Sequence, residues 1–506
     1  MNFMNAIKTE IDDQKTLTEN GAIAYASSGK KLLDFYFAIT AMRQESECDI
    51  ERKFSGVYYE NPLVAIKTLF QIRDCRGGNG ERRLFRICMK WLAENQTEVA
   101  EAVLALIPEY GRVDDWWVLL DTNLRDDVLE LTKKQLEEDQ DNMEKGKPIS
   151  LAAKWIPSIS ASSYRTRELA EIIRAYLGCS PRNYRKGLSK MRRYLNVVEQ
   201  KMSAKEWKKI DYSTVPSQAN LKYNNAFLRN DEERRRAYLE SLKRGETKIN
   251  AGTLQPNEIV GKYKDTSSWY RLAVREYDET LEQLWKALPV KSVDNTLVVR
   301  DSSGSMTGGY GAKCCPLDVA TALAIYTSEH NNGIWKDKYI TFSENPRFID
   351  LSNCKTLRDK LKLSFSECEV ANTNIEKTMM LILNTAIKNH CLPEDMPKNI
   401  VILSDMQFDS MTTIRGNRKA LFDNLADIYR ENGYLLPRIV FWNLSGQINN
   451  TITMQQNELG VALISGFSTQ LLDMVMSGKT DPYEVLLEAI NTPRYQPVED
   501  AVKEIL

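Results

Sequence analysis

Residues 294–306 read DNTLVVRDSSGSM, and this stretch decides the architecture of the C-terminal half. The β-branched and apolar run at Thr296–Val299 spells a short strand. The acidic and hydroxyl-bearing loop that follows ends it, and PLDVATALAIYTSEH over 316–330 resumes at helical spacing. Working outward, KYITFSENPRFIDL (338–351) gives two strands and NIEKTMMLILNTAIKNH (374–390) a helix. NIVILSDMQFD (399–409) then reads as a buried strand, RKALFDNLADIYRENG (418–433) as a helix, PRIVFWNLSG (437–446) and GVALISGF (460–467) as strands, and TQLLDMVMSG (469–478) as a helix. Strands that alternate with helices predict a doubly wound, mainly parallel α/β sheet with helices on both faces. Ligands of such sheets bind at the carboxyl ends of the strands.

Upstream the pattern is different. From about residue 60 to 290 the chain reads as short amphipathic helices, such as NPLVAIKTLFQI (61–72), ERRLFRICMKWLAEN (81–95), TEVAEAVLALIPEY (97–110), VDDWWVLLD (113–121), RELAEIIRAYLG (167–178) and DEERRRAYLESLKRG (231–245). Apolar residues recur in them every three or four positions, and Pro, Gly or polar breaks separate them. Their stacking predicts a HEAT-like helical-repeat solenoid or ring, argued from shape because no fixed period is present. The expected division is a polar N-terminal segment over 1–55, a helical-repeat domain over 56–289 and the α/β domain over 290–506.

With 506 residues the chain exceeds one ordinary core. Its 42% hydrophobic and 27% charged content is that of a folded protein, which excludes wholesale disorder and a coiled-coil rod. Nine cysteines form no CxxC pair, and the opening MNFMNAIKTEIDDQKTL has no apolar signal core, so reduced thiols and a cytoplasmic location are expected. No window approaches the roughly 20 apolar residues of a membrane span. Two histidines, His330 and His390, leave little material for most zinc sites or for a His-dependent triad.

The net charge of −1 conceals a split. Residues 151–264 hold 24 Lys and Arg against 11 Asp and Glu, an excess of +13 that is hard to neutralise internally. Cations interleave with aromatics in PRNYRKGLSKMRRYLNVVEQKMSAKEWKKIDY (181–212), which offers Arg182, Arg185, Lys186, Lys190, Arg192, Arg193, Lys205, Lys208 and Lys209 beside Tyr184, Tyr194, Trp207 and Tyr212. Phosphate neutralisation plus stacking is the chemistry of single-stranded or looped RNA binding. The plain alternative is a solvated helix face that pairs with Glu199, Glu206 and the acids of 231–233. For Trp116 and Trp117 core packing is expected.

Asp301-Ser302-Ser303-Gly304-Ser305 matches D-x-S-x-S at a strand end, where one loop brings a carboxylate and two hydroxyls together. Such oxygen donors suit Mg²⁺ or Mn²⁺. Thr373, ahead of the helix that follows it, offers a third hydroxyl or an N-cap. Asp405 follows the strand NIVILS.

The order D-x-S-x-S, then Thr, then Asp resembles the metal-ion-dependent adhesion site of von Willebrand factor A domains, over roughly residues 290–506. The resemblance implies that Ser303, Ser305 and Thr373 contact the ion through hydroxyls. Asp301 and Asp405 would hold it directly or through water, and the sixth position would take an acidic group from a partner. Arg300, where an apolar residue is common, and Ala371, where Gly is frequent, depart from that pattern. No neighbouring acid or base suggests catalysis, so a binding, non-enzymatic role is expected.

In the helical half, RDCRGGNGERRLF (73–85), YGRVDDWW (110–117), SLAAKWIP (150–157), YRKGLSKMRRYLNVVE (184–199) and VPSQANLKYNNAF (215–227) resemble the helical-repeat module of the TROVE-like family. Its Ro ribonucleoproteins carry a von Willebrand A domain behind the repeats and bind small non-coding RNA and the ends of misfolded RNA. The resemblance implies a non-enzymatic RNA-binding protein, with Arg73, Arg76 and Arg82 of the glycine-rich loop as further phosphate contacts. That loop reads equally as an interhelical turn with an Arg73–Glu81 charge network. The rival functions are a metal-dependent protein adaptor without RNA and, from Asp114–Asp115, an RNA-processing enzyme.

Overall fold

The computed structural model describes residues 15–17, 23–25, 29–265, 273–307, 315–342, 346–367, 375–405, 421–444, 461–476 and 481–506. The chain forms two compact units, one of residues 1–49 with 251–489, the other of residues 50–250 with 490–506.

The first unit is α/β. A short antiparallel pair, β1 (Lys15–Leu17) and β2 (Ile23–Tyr25), precedes a mixed six-stranded sheet. Its strands are β3 (Thr296–Asp301), β4 (Lys338–Phe342), β5 (Phe348–Asp350), β6 (Asn399–Ser404), β7 (Arg438–Asn443) and β8 (Val461–Ser465). They lie in the order β5-β4-β3-β6-β7-β8, parallel except for the edge strand β5. All six residues of β3 are buried, as a strand covered on both faces requires. The chain leaves β3 towards β4 and returns on the other side as β6, so the order reverses between β3 and β6. At such a reversal the loops diverge and leave a crevice at the strand ends. Asp301 ends β3 and Asp405 directly follows β6.

Helix Pro316–Glu329 packs against β3 and is buried from Leu317 to Ser328. Helices Leu357–Ser366, Ile375–Lys388 and Leu421–Glu431 complete the alternation. Segments assigned elsewhere from sequence also belong to this unit. Residues 31–42 are not a polar tail: Leu32, Leu33, Phe35, Tyr36, Phe37, Ile39 and Met42 are buried, and helix Lys31–Phe37 packs on β8. Thr40 Oγ1 lies 3.1 Å from Ser465 Oγ, and Asn443 Nδ2 donates to the Phe37 carbonyl at 3.2 Å. Helices Pro256–Tyr263 and Glu279–Lys286, expected among the repeats, join it too. The Glu282 carboxylate caps helix Leu357–Ser366, accepting from Leu357 N at 2.8 Å and Arg358 N at 3.1 Å. Lys264 pairs with Asp318 at 2.6 Å.

The second unit is helical, with helices that include Pro62–Arg73, Arg83–Asn95, Thr97–Leu104, Arg125–Glu144, Tyr164–Tyr176, Pro181–Tyr194, Ser217–Asn230 and Glu232–Lys243. Sharp starts follow from local chemistry. Asn61 before Pro62 and Ser180 before Pro181 each accept from a first-turn N–H. The last 17 residues, 490–506, expected in the α/β domain, pack here instead. Helix Gln496–Val502 lies on helices Pro62–Arg73 and Thr97–Leu104. Lys67 Nζ bonds Glu499 at 2.6 Å and Asn491 at 2.7 Å, and Arg494 pairs with the fully buried Asp74. The apolar period of 496–502 gives no hint of which core it joins, because the partners Lys67 and Asp74 lie more than 400 residues upstream.

Candidate functional site

The D-x-S-x-S loop folds on itself. Ser303 N–H donates to Asp301 Oδ1 at 2.8 Å, an Asx turn that fixes the carboxylate, and the Ser303 and Ser305 hydroxyls lie 3.0 Å apart. From the neighbouring strand, Ser404 Oγ donates to Asp301 Oδ2 at 2.5 Å. Asp301, Ser303 and Asp405 are buried and Ser305 is half-buried. Burial, and then the charge of Asp405, push the Asp301 carboxyl well above the usual carboxylate range, against the hydrogen bonds from Ser404 and Ser303. Two buried carboxylates within electrostatic reach, beside two adjacent hydroxyls, form a hard-oxygen donor set that a divalent cation would satisfy. Asp301, Ser303, Ser305 and Asp405 thus fit the expected ion, while Thr373 lies outside the described residues. Among the described residues no group of three or more His, Cys, Asp or Glu could hold a metal, so a site here depends on hydroxyls.

Arg300, the departure noted in the sequence, is wholly buried. Strand alternation turns it to the opposite face from Asp301. Its Nη1 donates to the Ser364 carbonyl at 2.9 Å and to Thr321 Oγ1 at 3.2 Å, and its guanidinium lies over the Tyr339 ring.

The basic stretch divides into three groups. On helix Pro181–Tyr194, Arg182, Arg185, Lys186, Lys190 and Arg193 are exposed, at spacings that share one face, while Tyr184, Leu188 and Met191 are buried on the other. Among the described residues no carboxylate lies within ion-pair distance of these five; Arg193 acts on Glu206 only through its field. Arg192 is a correction. Its guanidinium donates to the Ala153 carbonyl at 2.7 Å, Ser158 Oγ at 2.8 Å and the Ile156 carbonyl at 2.7 Å, so it clamps the 153–158 turn instead of facing solvent. Beyond the helix, Lys205 and Lys208 are exposed, and Lys209 pairs with Glu206 at 2.7 Å. The aromatics are mostly structural. Tyr184 is buried with its hydroxyl on the Pro157 carbonyl at 2.8 Å, and Trp207 and Tyr212 pack with Val198, Ile210, Val215 and Phe227. Tyr194 is exposed.

The glycine-rich loop is an interhelical turn. The N–H groups of Gly78 and Gly80 bond the Asp74 carbonyl, that of Asn79 bonds Gln71 and that of Glu81 bonds Ile72, so these donors are used within the turn. A Cβ at Gly78 would sit 1.8 Å from the Gln71 carbonyl oxygen, which forces Gly there. Arg73, also expected to meet phosphate, is buried and held by Asp115 at 2.7 Å. A buried guanidinium already paired with a carboxylate is not available to a ligand, and its acid is Asp115 and not Glu81. Arg76 is exposed, and Arg82 is half-exposed and bonded to Asp114. Trp116 and Trp117 are buried, their indole N–H groups on the Leu104 and Trp155 carbonyls at 2.9 and 3.3 Å.

Over residues 295–500 the chain matches the family described as Domain of unknown function (DUF7788), and over 18–107 and 168–296 the Domain of unknown function (DUF2828). The uncharacterized protein L728 of Acanthamoeba polyphaga mimivirus is 30% identical across 525 aligned positions, which cover 96% of this chain and 88% of the viral protein. The chain belongs to the family of L728. The first matched stretch starts one residue before β3 and contains Asp301, Ser303, Ser305, Thr373 and Asp405. The cationic helix 181–194 lies within the second.

Sequence reasoning missed Ser404, whose hydroxyl holds Asp301. Its position beside Asp405 at a strand end was the available signal, but only the pairing of β3 with β6 turns it into a contact. It also missed Arg86 and Arg112, which gather on Asp114 and Asp115.

Proposed function

We propose that this member of the L728 family is a non-enzymatic RNA-binding protein of the Ro/TROVE type. Its helical repeats hold small structured or single-stranded-ended RNA, and its von Willebrand A-like domain carries a divalent-cation site for a partner's acidic group. The observation that carries the reading is the row of five exposed cations, Arg182, Arg185, Lys186, Lys190 and Arg193, with no ion-paired carboxylate among the described residues. Surface cations normally sit among acids; a one-signed helix face suits a polyanion. Exposed Tyr194 at its end offers a stacking surface.

In the α/β unit, Ser303 and Ser305 would offer hydroxyls to Mg²⁺ or Mn²⁺, with Asp301 and Asp405 balancing its charge directly or through water. The ion would supply a Lewis-acid seat for a carboxylate. The chain's own groups orient that seat: the Ser303 N–H and the Ser404 hydroxyl hold the Asp301 carboxylate in place.

The test is binding of a structured RNA with a single-stranded tail, titrated over salt with Mg²⁺ and then with EDTA. Salt-steep binding that survives EDTA supports RNA on the helical face. A second reading, a metal-dependent adaptor without RNA, is favoured by the buried Asp301 and Asp405 carboxylates, and absence of RNA binding at low salt would leave it in place.

A further inference from the structure

Three half-buried arginines converge on one carboxylate oxygen. Arg112 grips Asp114 with Nε at 2.8 Å and Nη2 at 2.9 Å, Arg86 Nη2 lies 3.2 Å from Asp114 Oδ2, and Arg82 Nη2 bonds the same oxygen. Asp115 takes Arg73 at 2.7 Å and Arg86 Nε at 2.7 Å. Four guanidiniums therefore surround two carboxylates, and among the described residues no other acid lies within ion-pair distance of the four. The cluster keeps two positive charges in excess. Burial and the charges of Arg86 and Arg112 hold the Arg82 guanidinium below its ordinary value despite Asp114 and Asp115.

The cluster is preorganised. The Arg112 guanidinium lies 3.9 Å from the centre of the Trp155 ring, and the carboxylates fix the Arg82 and Arg86 heads. Among the described residues no acceptor bonds the Nη1 groups of Arg82, Arg86 and Arg112. A phosphodiester brings a single charge and two free oxygens, whereas a phosphomonoester brings up to two charges and three. Of the two, the monoester matches the twofold excess charge of the cluster.

We infer that Arg82, Arg86 and Arg112 bind the terminal phosphomonoester of a nucleic acid strand. The identity of the strand rests on the RNA reading above and on continuity. Trp155, against which Arg112 stacks, sits in the 153–158 turn, and Arg192 and Tyr184 of the cationic helix bond the backbone of that turn at Ala153, Ile156 and Pro157. The cluster and the cationic helix therefore share one turn.

The experiment compares one oligoribonucleotide in three forms, 5′-phosphorylated, 3′-phosphorylated and hydroxyl-ended, by fluorescence anisotropy with the full-length protein. A phosphorylated form should bind about tenfold tighter than the hydroxyl-ended form, the worth of about one charge-assisted hydrogen bond. Arg82→Gln should remove the preference, and Arg86→Gln serves if that variant does not fold. Equal binding of the three forms overturns the end-phosphate site and leaves RNA binding standing. If none of the three binds, the RNA reading fails, and calorimetric titration of inorganic phosphate decides the arginine site alone. Phosphate heat that Arg82→Gln abolishes keeps the site, and absence of heat overturns it.

Discussion

Ser404 donates its hydroxyl to Asp301 at 2.5 Å across the boundary between β6 and β3, where the strand order of the sheet reverses. This bond ties the D-x-S-x-S loop to the strand that delivers Asp405. It links the two halves of the candidate cation site.

Asp301 and Asp405 repel each other while buried, so metal affinity and metal-free stability should move in opposite directions. Asp405→Asn is expected to raise the melting temperature of the EDTA-treated protein and to abolish the upward shift that Mg²⁺ gives the parent. Thermal melts with and without Mg²⁺ check this; a parent-like Mg²⁺ shift in the variant would reject the ligand assignment.

Neighbours in sequence should behave differently on helix Pro181–Tyr194. Arg192→Ala removes three hydrogen bonds to the 153–158 turn and should destabilise the protein by about 2–4 kcal/mol in urea denaturation. Arg193→Ala, exposed, should stay within about 0.5 kcal/mol of the parent.

Asp74 is fully buried, and its guanidinium partner Arg494 comes from the far end of the chain, with Tyr495 Oη donating to the same carboxylate at 3.2 Å. The hydrogen bond to Asp74 raises the already high pKa of Arg494. Arg494→Ala strands a buried carboxylate and should cost the helical unit about 3–5 kcal/mol. Adding Asp74→Asn to it should recover part of that loss, which a double-mutant cycle by denaturation would measure.

Burial opposes ionisation of Asp115, but Arg73 and Arg86 outweigh it and hold the carboxyl below its ordinary value. A depressed folded pKa contributes stability that is fully present above the unfolded value, near 4, and is lost as pH falls through the folded value. Unfolding free energy measured from pH 6 downward should therefore fall below about pH 4. Asp115→Asn should flatten that part of the profile.

Local patterns made much of this architecture legible. The alternation of buried strands with helices after Thr296, and the placing of Asp301 and Asp405 at strand ends, need only short-range periodicity. What escaped were pairings across long stretches of chain: Phe37 with Asn443, Lys67 with Glu499, Asp74 with Arg494. Within the basic stretch, composition marked every cation alike. Only the helix phase separates the exposed Arg193 from Arg192, whose side chain has three acceptors in reach.

The most direct test of the account is the salt dependence of RNA binding by the parent and by a variant with Lys186, Lys190 and Arg193 replaced by Gln. The account requires binding at low salt with a steep log–log slope, flattened in the variant by about 0.7 for each lost phosphate contact. An unchanged slope, or no binding by the parent at low salt, would contradict it.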